Sequence, residues 1–202
     1  MKGKLKLISG KKIESPLTQK TRPTTSKVRE AIINILGQTL EQASWLDLCS
    51  GSGVMACEAL QKGAKRILAI EKQRGTAKTC KRNLIEVSKT LDYPCHIEVI
   101  CKEVISFLKK GPENKNIEFI KNHPSSEKKF DFIFLDPPYD SNIYEPSQEL
   151  LLSNQWIKKT SILICECSSK SPPRIHNGWE LKKNKFYGNT SILILTPNQA
   201  LN

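Results

Sequence analysis

Short apolar stretches of strand length alternate with amphipathic stretches of helical length over most of this chain. The apolar stretches predict core strands, which we expect at residues 43–48, 66–71, 97–101, 130–135 and 161–167. The amphipathic stretches predict helices with an apolar stripe, which we expect at residues 54–62, 76–89, 104–110 and 145–157. Strands that alternate with helices in this way predict an α/β fold with a mainly parallel sheet. Such sheets bind ligands at the carboxyl ends of their strands.

The amino-terminal part of the chain departs from this alternation. Residues 4–8 alternate between apolar and lysine side chains in the manner of a short strand, Ser9-Gly10 offers a turn, and Ile13 lies on a possible return strand. A polar linker marked by prolines follows, and Thr24 or Thr25 can then cap a helix. The apolar stripe of that helix is predicted to be Val28, Ile32, Ile35, Leu36 and Leu40.

The carboxyl-terminal stretch WELKKNKFYGNTSILILT predicts an antiparallel hairpin that turns at or near Gly188-Asn189. We interpret the chain as a basic extension over residues 1–22, followed by one α/β domain over residues 23–202. The polar residues 111–129 are expected to form a surface insertion within that domain.

Positive charge is concentrated near the start of the chain. The formal net charge is +12, and residues 1–30 contain nine Lys or Arg side chains against two Glu. This arm, which includes Lys11, Lys12 and Arg22, is interpreted as a phosphate-binding segment that contacts nucleic acid. A solvated basic tail is the alternative that composition leaves open.

Composition and cysteine usage argue against several classes of protein. The longest apolar runs are of strand length, so a membrane-spanning helix is not expected. The first residues contain lysines but no apolar core of secretory length, which favours a cytoplasmic location. The seven cysteines include no CxxC pair and the three histidines are scattered, so we expect buried, reduced thiols and no metal site.

The stretch LDLCSGSGVMACEAL follows the first core strand and opens a helix. Gly51 and Gly53 let the backbone turn sharply and approach a ligand closely. Their spacing also fits a dinucleotide-binding loop, and a tight turn without a ligand is the structural alternative. Asp47 lies in the same stretch, where an anion would repel a pyrophosphate. It would suit a cationic ligand such as the aminoacyl sulfonium of S-adenosylmethionine.

Two further carboxylates end or follow predicted strands. Glu71 closes the second core strand, and there it could accept hydrogen bonds from both ribose hydroxyls of an adenosine. A surface acid at a strand end is the alternative. Glu103 begins the helix after the third strand, so it could accept from an adenine amino group or simply favour the helix N-terminus electrostatically.

The stretch FDFIFLDPPYD places a carboxylate at the carboxyl end of a strand that is apolar on both faces. Desolvating Asp136 there is costly unless a partner compensates. Pro137 and Pro138 have no N–H groups and cannot continue a strand ladder. Asp136 and a proline carbonyl could therefore accept the two hydrogens of an exocyclic base amine, while Tyr139 offers a face on which a flipped base can stack. A proline-rich turn with an exposed tyrosine is the alternative.

In this order, these residues resemble the class I S-adenosylmethionine-dependent methyltransferases that modify amines, whose motif is [DNS]-P-P-[YFW]. The stretches TRPTTSKVREAIINIL, DLCSGSGVMACEAL, LDPPY and FYGNTSILIL together resemble the RsmD family over nearly the whole chain. That family methylates N2 of one guanine in 16S ribosomal RNA of the small ribosomal subunit. The resemblance implies a Rossmann-like fold with a seven-stranded sheet, helices on both faces, a carboxyl-terminal antiparallel hairpin and a monomeric state.

The resemblance also implies roles for individual residues. Asp47, Ser50, Gly51 and Gly53 would line the pocket for the methionine and adenosine groups, Glu71 would hold the ribose, and Glu103 would stand near the adenine. Asp136, Pro137, Pro138 and Tyr139 would hold the target guanine. The remaining set would contact the cofactor's carboxylate side or the RNA, and it comprises Arg22, Thr24, Thr25, Arg29, Lys11 and Lys12.

The chain also departs from the family pattern. Cys49 and Ser50 replace the usual alanine and phenylalanine beside the glycine loop, and the position of Glu103 is more often Asp or Asn. The Gly- and Arg-rich amino-terminal hairpin of the family is reduced to SGKKIESP. Two other functions stay open: adenine-N6 methylation of DNA or another RNA, and a non-catalytic role in RNA binding and ribosome assembly.

Overall fold

The computed structural model describes residues 4–15, 24–112, 117–118, 128–138 and 141–198. Within them the chain forms nine strands and five α-helices. The strands are β1 Lys4–Lys6, β2 Lys12–Glu14, β3 Ser44–Leu48, β4 Arg66–Glu71, β5 His96–Cys101, β6 Phe130–Leu135, β7 Ile157–Ser168, β8 Trp179–Tyr187 and β9 Thr190–Pro197. The helices are α1 Ser26–Leu36, α2 Val54–Gln61, α3 Arg74–Ser88, α4 Val104–Leu108 and α5 Tyr144–Ser153.

The chain divides into two compact units, Met1–Lys102 and Glu103–Asn202. The main sheet has seven strands, of which the first unit holds three in the order β5-β4-β3 and the second holds four in the order β6-β7-β9-β8. The pairs β3–β4, β4–β5 and β6–β7 are parallel, whereas β9 is antiparallel to both β7 and β8. The prediction of a mainly parallel seven-stranded sheet with a carboxyl-terminal antiparallel hairpin is therefore confirmed.

The first unit has its core around strands β3 and β4. Every residue of β3 is buried, as are Ile67 to Glu71 of β4, because side chains on both faces of these strands pack against other elements. Helix α2 is buried along nearly its whole length. Thr25 is the N-cap of helix α1, and its side chain accepts a hydrogen bond from the Val28 N–H at 3.4 Å, so the predicted threonine cap is confirmed.

The apolar stripe of α1 differs from the prediction in one position. Ile33 is buried at 4% exposure, whereas Ile35 is only partly buried. The helix ends at Leu36, and Leu40 lies in a short 3-10 helix, Gly37–Leu40, that continues the chain. Ile33 lies four residues after the buried Arg29, so the buried stripe includes the row Arg29–Ile33 beside the row Val28–Ile32–Leu36.

The second unit corrects the predicted boundary between its helix and the strand that follows. The predicted helix 145–157 ends at Ser153, and Gln155 adopts a positive φ of 57° before β7 begins at Ile157. Ile157 pairs with Phe130 of β6, and Ser161 Oγ donates a hydrogen bond to the Phe130 carbonyl at 2.6 Å. Because of these contacts between residues distant in sequence, β7 begins at Ile157, four residues before the predicted start at Ser161.

Among the residues that the structure describes, no helix is both long and apolar enough to cross a membrane. The same residues contain no cluster of His, Cys, Asp and Glu side chains suited to a metal ion. Most of the proposed insertion, at 113–116 and 119–127, lies outside the described residues.

Candidate functional site

Asp47 is a carboxylate inside the apolar core. It lies within β3 at 1% exposure, and neither carboxylate oxygen accepts a hydrogen bond of ordinary geometry from the described residues. Burial raises the pKa of Asp47 to about 8. The Ala56 backbone N–H and the Trp45 indole lower that pKa in part, and the charge of Glu71 raises it further. The first unit therefore contains a buried acid that a cation would stabilise in its ionised form.

The glycine loop after β3 is held tightly against the first unit. Gly51 and Gly53 have φ values of 53° and 76°, which L side chains rarely adopt. A Cβ atom at Gly53 would lie only 2.7 Å from the Cys80 Sγ, so a larger residue would overlap that thiol. The Ser50 hydroxyl donates toward the same sulfur at 3.6 Å, and the Ser50 N–H donates to the Ile70 carbonyl at 2.9 Å. The loop thus has one compact shape that brings its backbone next to the end of β4.

Glu71 connects that strand end to the glycine loop. One oxygen of its carboxylate accepts from the Gly51 N–H at 3.0 Å, and the other accepts from the Gln73 N–H at 2.8 Å. The residue is only 8% exposed. Because each carboxylate oxygen can accept more than one hydrogen bond, these contacts orient Glu71 and leave it able to accept from a ligand. The structure therefore brings Asp47, Gly51 and Glu71 together, as the sequence predicts.

Glu103 occupies the N-cap position of α4 in the second unit. Its two carboxylate oxygens accept from the Ile105 N–H at 2.9 Å and the Ser106 N–H at 2.7 Å. Partial burial acts to raise the pKa of Glu103, but these two hydrogen bonds lower it below its ordinary value. The electrostatic role at a helix N-terminus is thus present, and the contact with an adenine stays a prediction.

Asp136 directly follows β6 and is half-buried, whereas Pro137 is buried and Pro138 is exposed. The Pro138 carbonyl accepts a hydrogen bond from the Ser141 N–H at 2.9 Å. Tyr139, the predicted stacking residue, lies outside the described residues. The strand thus ends where the two prolines predict that it should.

A second carboxylate in this unit was missed by the sequence analysis. Glu166 of β7 is 5% exposed, and its backbone carbonyl accepts from the Tyr144 hydroxyl at 2.7 Å. The last paired residues of β6 and β7 are Leu135 and Cys165, so Asp136 and Glu166 come next on neighbouring parallel strands. An acid inside the apolar stretch LICEC was the signal that could have identified it, as the acid in SWLDL identified Asp47.

The electrostatics of Cys167 support this placement. Burial raises the pKa of the Cys167 thiol to about 11, and the charges of Glu166 and Asp136 raise it further. The effect of both carboxylates on the pKa of one thiol agrees with the strand register, which places Asp136 and Glu166 side by side. The carboxyl ends of β6 and β7 form one acidic edge within the second unit.

Arg29 departs from its predicted place at a cofactor-facing or RNA-facing surface. It is only 3% exposed, and its guanidinium donates to Glu58 Oε1 at 3.0 Å, to the Thr24 carbonyl at 2.7 Å and to the Lys6 carbonyl at 2.6 Å. Glu58 also accepts from the Ile8 N–H at 3.0 Å. Arg29 therefore anchors the amino-terminal hairpin to the first unit, and its buried guanidinium is not presented to a ligand.

The other basic and hydroxyl residues of the predicted RNA-contacting set have mixed positions. Lys12 is exposed on β2, and the Lys11 ammonium lies 3.5 Å from the Thr90 hydroxyl. Thr24 is buried and Thr25 caps α1, whereas Arg22 lies outside the described residues. The threonines support the start of the helix, and contact of the two lysines with a phosphate stays a prediction.

Comparison with known proteins assigns the chain to a family. Residues 3–196 match the family model described as Conserved hypothetical protein 95. The chain belongs to this family. Within it, the Haemophilus influenzae protein named Ribosomal RNA small subunit methyltransferase D is 29% identical, over 93% of this chain and 91% of that protein. The protein of the same name from Buchnera aphidicola subsp. Baizongia pistaciae is 31% identical, over 90% of this chain and 86% of its own length.

Solved structures agree with this assignment. An Escherichia coli protein assigned as a methyltransferase is 25% identical, with a TM-score of 0.76 over 97% of this chain and 99% of that one. A Haemophilus influenzae protein assigned as a methylase is 28% identical, with a TM-score of 0.73 over 98% and 100%. The resemblance to the RsmD family is therefore confirmed, together with the Rossmann-like fold that it implies.

Proposed function

We propose that this member of the family is an S-adenosylmethionine-dependent methyltransferase that modifies the exocyclic N2 amine of a guanine in 16S ribosomal RNA of the small subunit. The names of its relatives support methylation of small-subunit ribosomal RNA. The observation that carries the proposal is the placement of Asp136 and buried Glu166 at the carboxyl ends of two neighbouring parallel strands.

The residues of the first unit fit the proposed cofactor. Asp47 is a buried carboxylate whose oxygens accept no hydrogen bond of ordinary geometry from the described residues, so a cationic group would compensate its desolvation. Glu71 is oriented by the Gly51 and Gln73 N–H groups and can accept from a diol. When bound, S-adenosylmethionine supplies an electrophilic methyl group on its sulfonium sulfur. Asp47, Gly51, Gly53 and Glu71 would hold it, with Ser50 supporting the loop from within.

The residues of the second unit would prepare the acceptor nitrogen. An exocyclic base amine is a poor nucleophile because its lone pair is delocalised into the ring. Asp136 and the Pro137 carbonyl would accept its two hydrogens, which draws the nitrogen toward a tetrahedral shape and localises the lone pair. Tyr139 would stack on the flipped base and fix its plane. The methylated nitrogen would then release one proton readily, so no strong base is needed. Correct orientation of the amine supplies most of the acceleration.

Glu166 supports guanine as the base that is held. Guanine presents the N1–H and the N2 amine as adjacent donors on one edge, whereas adenine presents an acceptor at N1. A flipped base is read through hydrogen bonds to that edge. A second carboxylate beside Asp136 would accept from the guanine N1–H, but it would face the lone pair of the adenine N1. We therefore assign Glu166 as the residue that distinguishes guanine from adenine.

The test is transfer of labelled methyl from S-adenosylmethionine to four substrates: unmethylated small subunits, naked 16S RNA, large-subunit RNA and duplex DNA. N2-methylguanosine formed on small-subunit RNA, alone or in the particle, is the expected product. Label in adenine would replace the assignment by adenine-N6 methylation. RNA binding without any transfer would favour a non-catalytic assembly role.

A further inference from the structure

Strand β8 is exposed in a way that its partner strand is not. All residues from Glu180 to Phe186 are exposed, whereas Ser191 to Leu195 of the adjacent β9 are buried. Strand β8 is also the last strand in the order of the sheet. Two large apolar side chains lie on it in solvent, with Leu181 at 43% exposure and Phe186 at 65%. We call residues 180–186 the β8 edge.

The β8 edge combines positive charge with an aromatic ring. The edge contains one acid, Glu180, and three lysines, Lys182, Lys183 and Lys185. The Glu180 carboxylate pairs with the Lys182 ammonium at 2.6 Å. Lysines on an edge strand commonly prevent edge-to-edge pairing between molecules. An exposed phenylalanine favours association of an edge strand with another molecule. Protection of the edge therefore explains the lysines but not Phe186.

Strand register places this edge level with the candidate base site of the second unit. Glu166 of β7 pairs with Ile192 of β9, and Ile192 pairs with Lys185 of β8. Neighbouring strands lie about 4.8 Å apart, so the Lys185 backbone is about 10 Å from that of Glu166 across the sheet. Since Asp136 comes level with Glu166 on the next strand, Lys185 and Phe186 lie at the same end of the sheet as Asp136.

The turn that ends β8 is fixed at this end of the sheet. The Ser169 hydroxyl donates to the Gly188 carbonyl at 2.9 Å, and the Ser169 N–H donates to the Asn189 carbonyl at 3.0 Å. The side chain of Asn184 accepts a hydrogen bond from the Ser191 hydroxyl. Past the β-bulge between Leu181 and Lys183, alternation puts Lys183 and Lys185 on one face and Phe186 on the other.

We propose that the β8 edge binds single-stranded RNA beside the target nucleotide. The RNA strand crosses the open edge of the sheet: Lys183 and Lys185 contact its phosphates on the face that carries Glu166, and Phe186 stacks on an unpaired base at the opposite face. This proposal rests on the proposed function, because it extends the binding of RNA outward from Asp136. Base stacking on an aromatic ring combined with lysine contacts to the backbone is the usual mode of single-strand recognition. A second copy of the same edge would bring like charges together, which favours RNA as the partner.

The test compares three variants in binding to a single-stranded RNA oligonucleotide and in methyl transfer to small-subunit RNA. The variants are Phe186→Ala, Phe186→Trp and the pair Lys183→Ala with Lys185→Ala. Phe186→Ala should weaken RNA binding about tenfold, and Phe186→Trp should retain it. The lysine pair should make the plot of log affinity against log salt shallower by about 1.5. The matched control is Lys78→Ala with Lys81→Ala on α3, which removes the same charge from another surface. In this control background, Phe186→Ala should still weaken RNA binding about tenfold.

Cofactor affinity and the rate at saturating RNA should stay unchanged in all three, because the variants act on RNA affinity alone. Oligonucleotide affinities equal to wild type in Phe186→Ala and in the lysine pair would overturn the proposal. The proposal would also be overturned if the variants kept wild-type RNA affinity but lost binding to anionic vesicles. The same holds if they kept RNA affinity but lost self-association in sedimentation. If the wild type binds RNA but transfers no methyl group, the proposed function fails, and the oligonucleotide measurement still decides the role of the β8 edge.

Discussion

At the scale of single residues, four carboxylates among the described residues lie where water is largely excluded. Asp47, Glu58, Glu71 and Glu166 are exposed by 1%, 2%, 8% and 5%, and Glu58 is paired with Arg29. Removing an ionised carboxylate from water costs several kcal/mol unless hydrogen bonds or an opposite charge compensate. Backbone N–H groups compensate Glu71. Asp47 has no such bond of ordinary geometry from the described residues, which makes it the residue whose ionisation should respond most strongly to a bound cation.

The first prediction concerns Asp47 and the pH dependence of stability. Its pKa is about 8 in the folded state and close to 3.9 when unfolded, so the unfolded chain ionises first as the pH rises. The contribution of Asp47 to the free energy of unfolding is therefore fully present below about pH 4 and is lost by about pH 8. In Asp47→Asn that loss should disappear, so the stability of the variant relative to wild type should rise by several kcal/mol between pH 5 and pH 8, since each unit of pKa shift corresponds to about 1.4 kcal/mol.

Urea unfolding of the ligand-free protein at pH 5 and pH 8 measures this difference. The exposed Asp92 provides the matched control, since Asp92→Asn makes the same chemical change in contact with solvent. Parallel pH profiles for wild type and Asp47→Asn would show that Asp47 is ionised normally in the fold.

The second prediction concerns Glu166 and the choice of base. Glu166→Gln keeps the shape of the side chain but replaces one acceptor oxygen by a donor amide. Guanine methylation should fall about 10- to 100-fold in kcat/KM, since a hydrogen bond to a charged group contributes about 1.5–3 kcal/mol. The affinity for S-adenosylmethionine should not change. Steady-state kinetics measure both effects, with Glu149→Gln as the control variant, since Glu149 is an exposed acid on α5. Equal losses in both variants, or none in Glu166→Gln, would remove Glu166 from base recognition.

At the scale of elements, the amino-terminal hairpin is joined to the rest of the first unit by side chains from three helices, and Glu58 of α2 accepts from the Ile8 N–H in the hairpin turn. Arg29 of α1 holds the Lys6 carbonyl, and Asn83 of α3 donates to the Glu14 carbonyl at 2.9 Å while accepting from its N–H at 2.9 Å. Asn83 also donates to the Ser52 carbonyl beside the glycine loop. A hairpin with strands of three residues cannot be stable alone, so these contacts supply its order.

The third prediction compares two ion pairs in this unit. Arg29→Met leaves Glu58 buried without its partner, which should cost about 3–5 kcal/mol of unfolding free energy. Arg82→Met removes the same charge from an exposed pair with Glu14, and it should cost less than about 1 kcal/mol. Thermal and urea unfolding give both values. Restoration of stability in the double variant Arg29→Met with Glu58→Met would confirm that the stranded carboxylate is the cause. Equal costs for Arg29→Met and Arg82→Met would contradict the anchoring role.

Elements could be predicted from the sequence where local pattern alone decides them. Strands β4 and β6 have the predicted bounds because charged or proline residues end their apolar stretches. The end of α5 was misplaced because Trp156 and Ile157 continue the apolar pattern, although Ile157 pairs with distant Phe130. Similarly, the acids Asp47 and Asp136 were identified by their apolar surroundings. The buried role of Arg29 depends on Glu58 and Lys6, whose proximity no local pattern encodes.

At the scale of the whole molecule, the net charge of +12 favours a polyanionic partner. The basic arm at the start of the chain and the β8 edge are two separate sources of that charge.

The fourth prediction concerns the arm. Charge reversal at Lys11, Lys12 and Arg22 should weaken binding to small-subunit RNA and make the salt dependence of its affinity shallower, by about 0.7–0.9 for each phosphate that is no longer neutralised. Filter binding at several salt concentrations measures it, and an unchanged slope would mean that the arm is merely solvated.

We propose that this chain transfers a methyl group to a base amine held by Asp136. The decisive measurement is of methyl transfer and cofactor binding on one preparation of Asp136→Ala. Transfer to small-subunit RNA should fall about 100-fold or more, because a preorganised acceptor for the reacting amine is removed. Calorimetric affinity for S-adenosylmethionine should stay within about twofold of wild type, since Asp136 faces the base in this account. Wild-type rates in Asp136→Ala, or loss of cofactor binding in place of transfer, would contradict the claim.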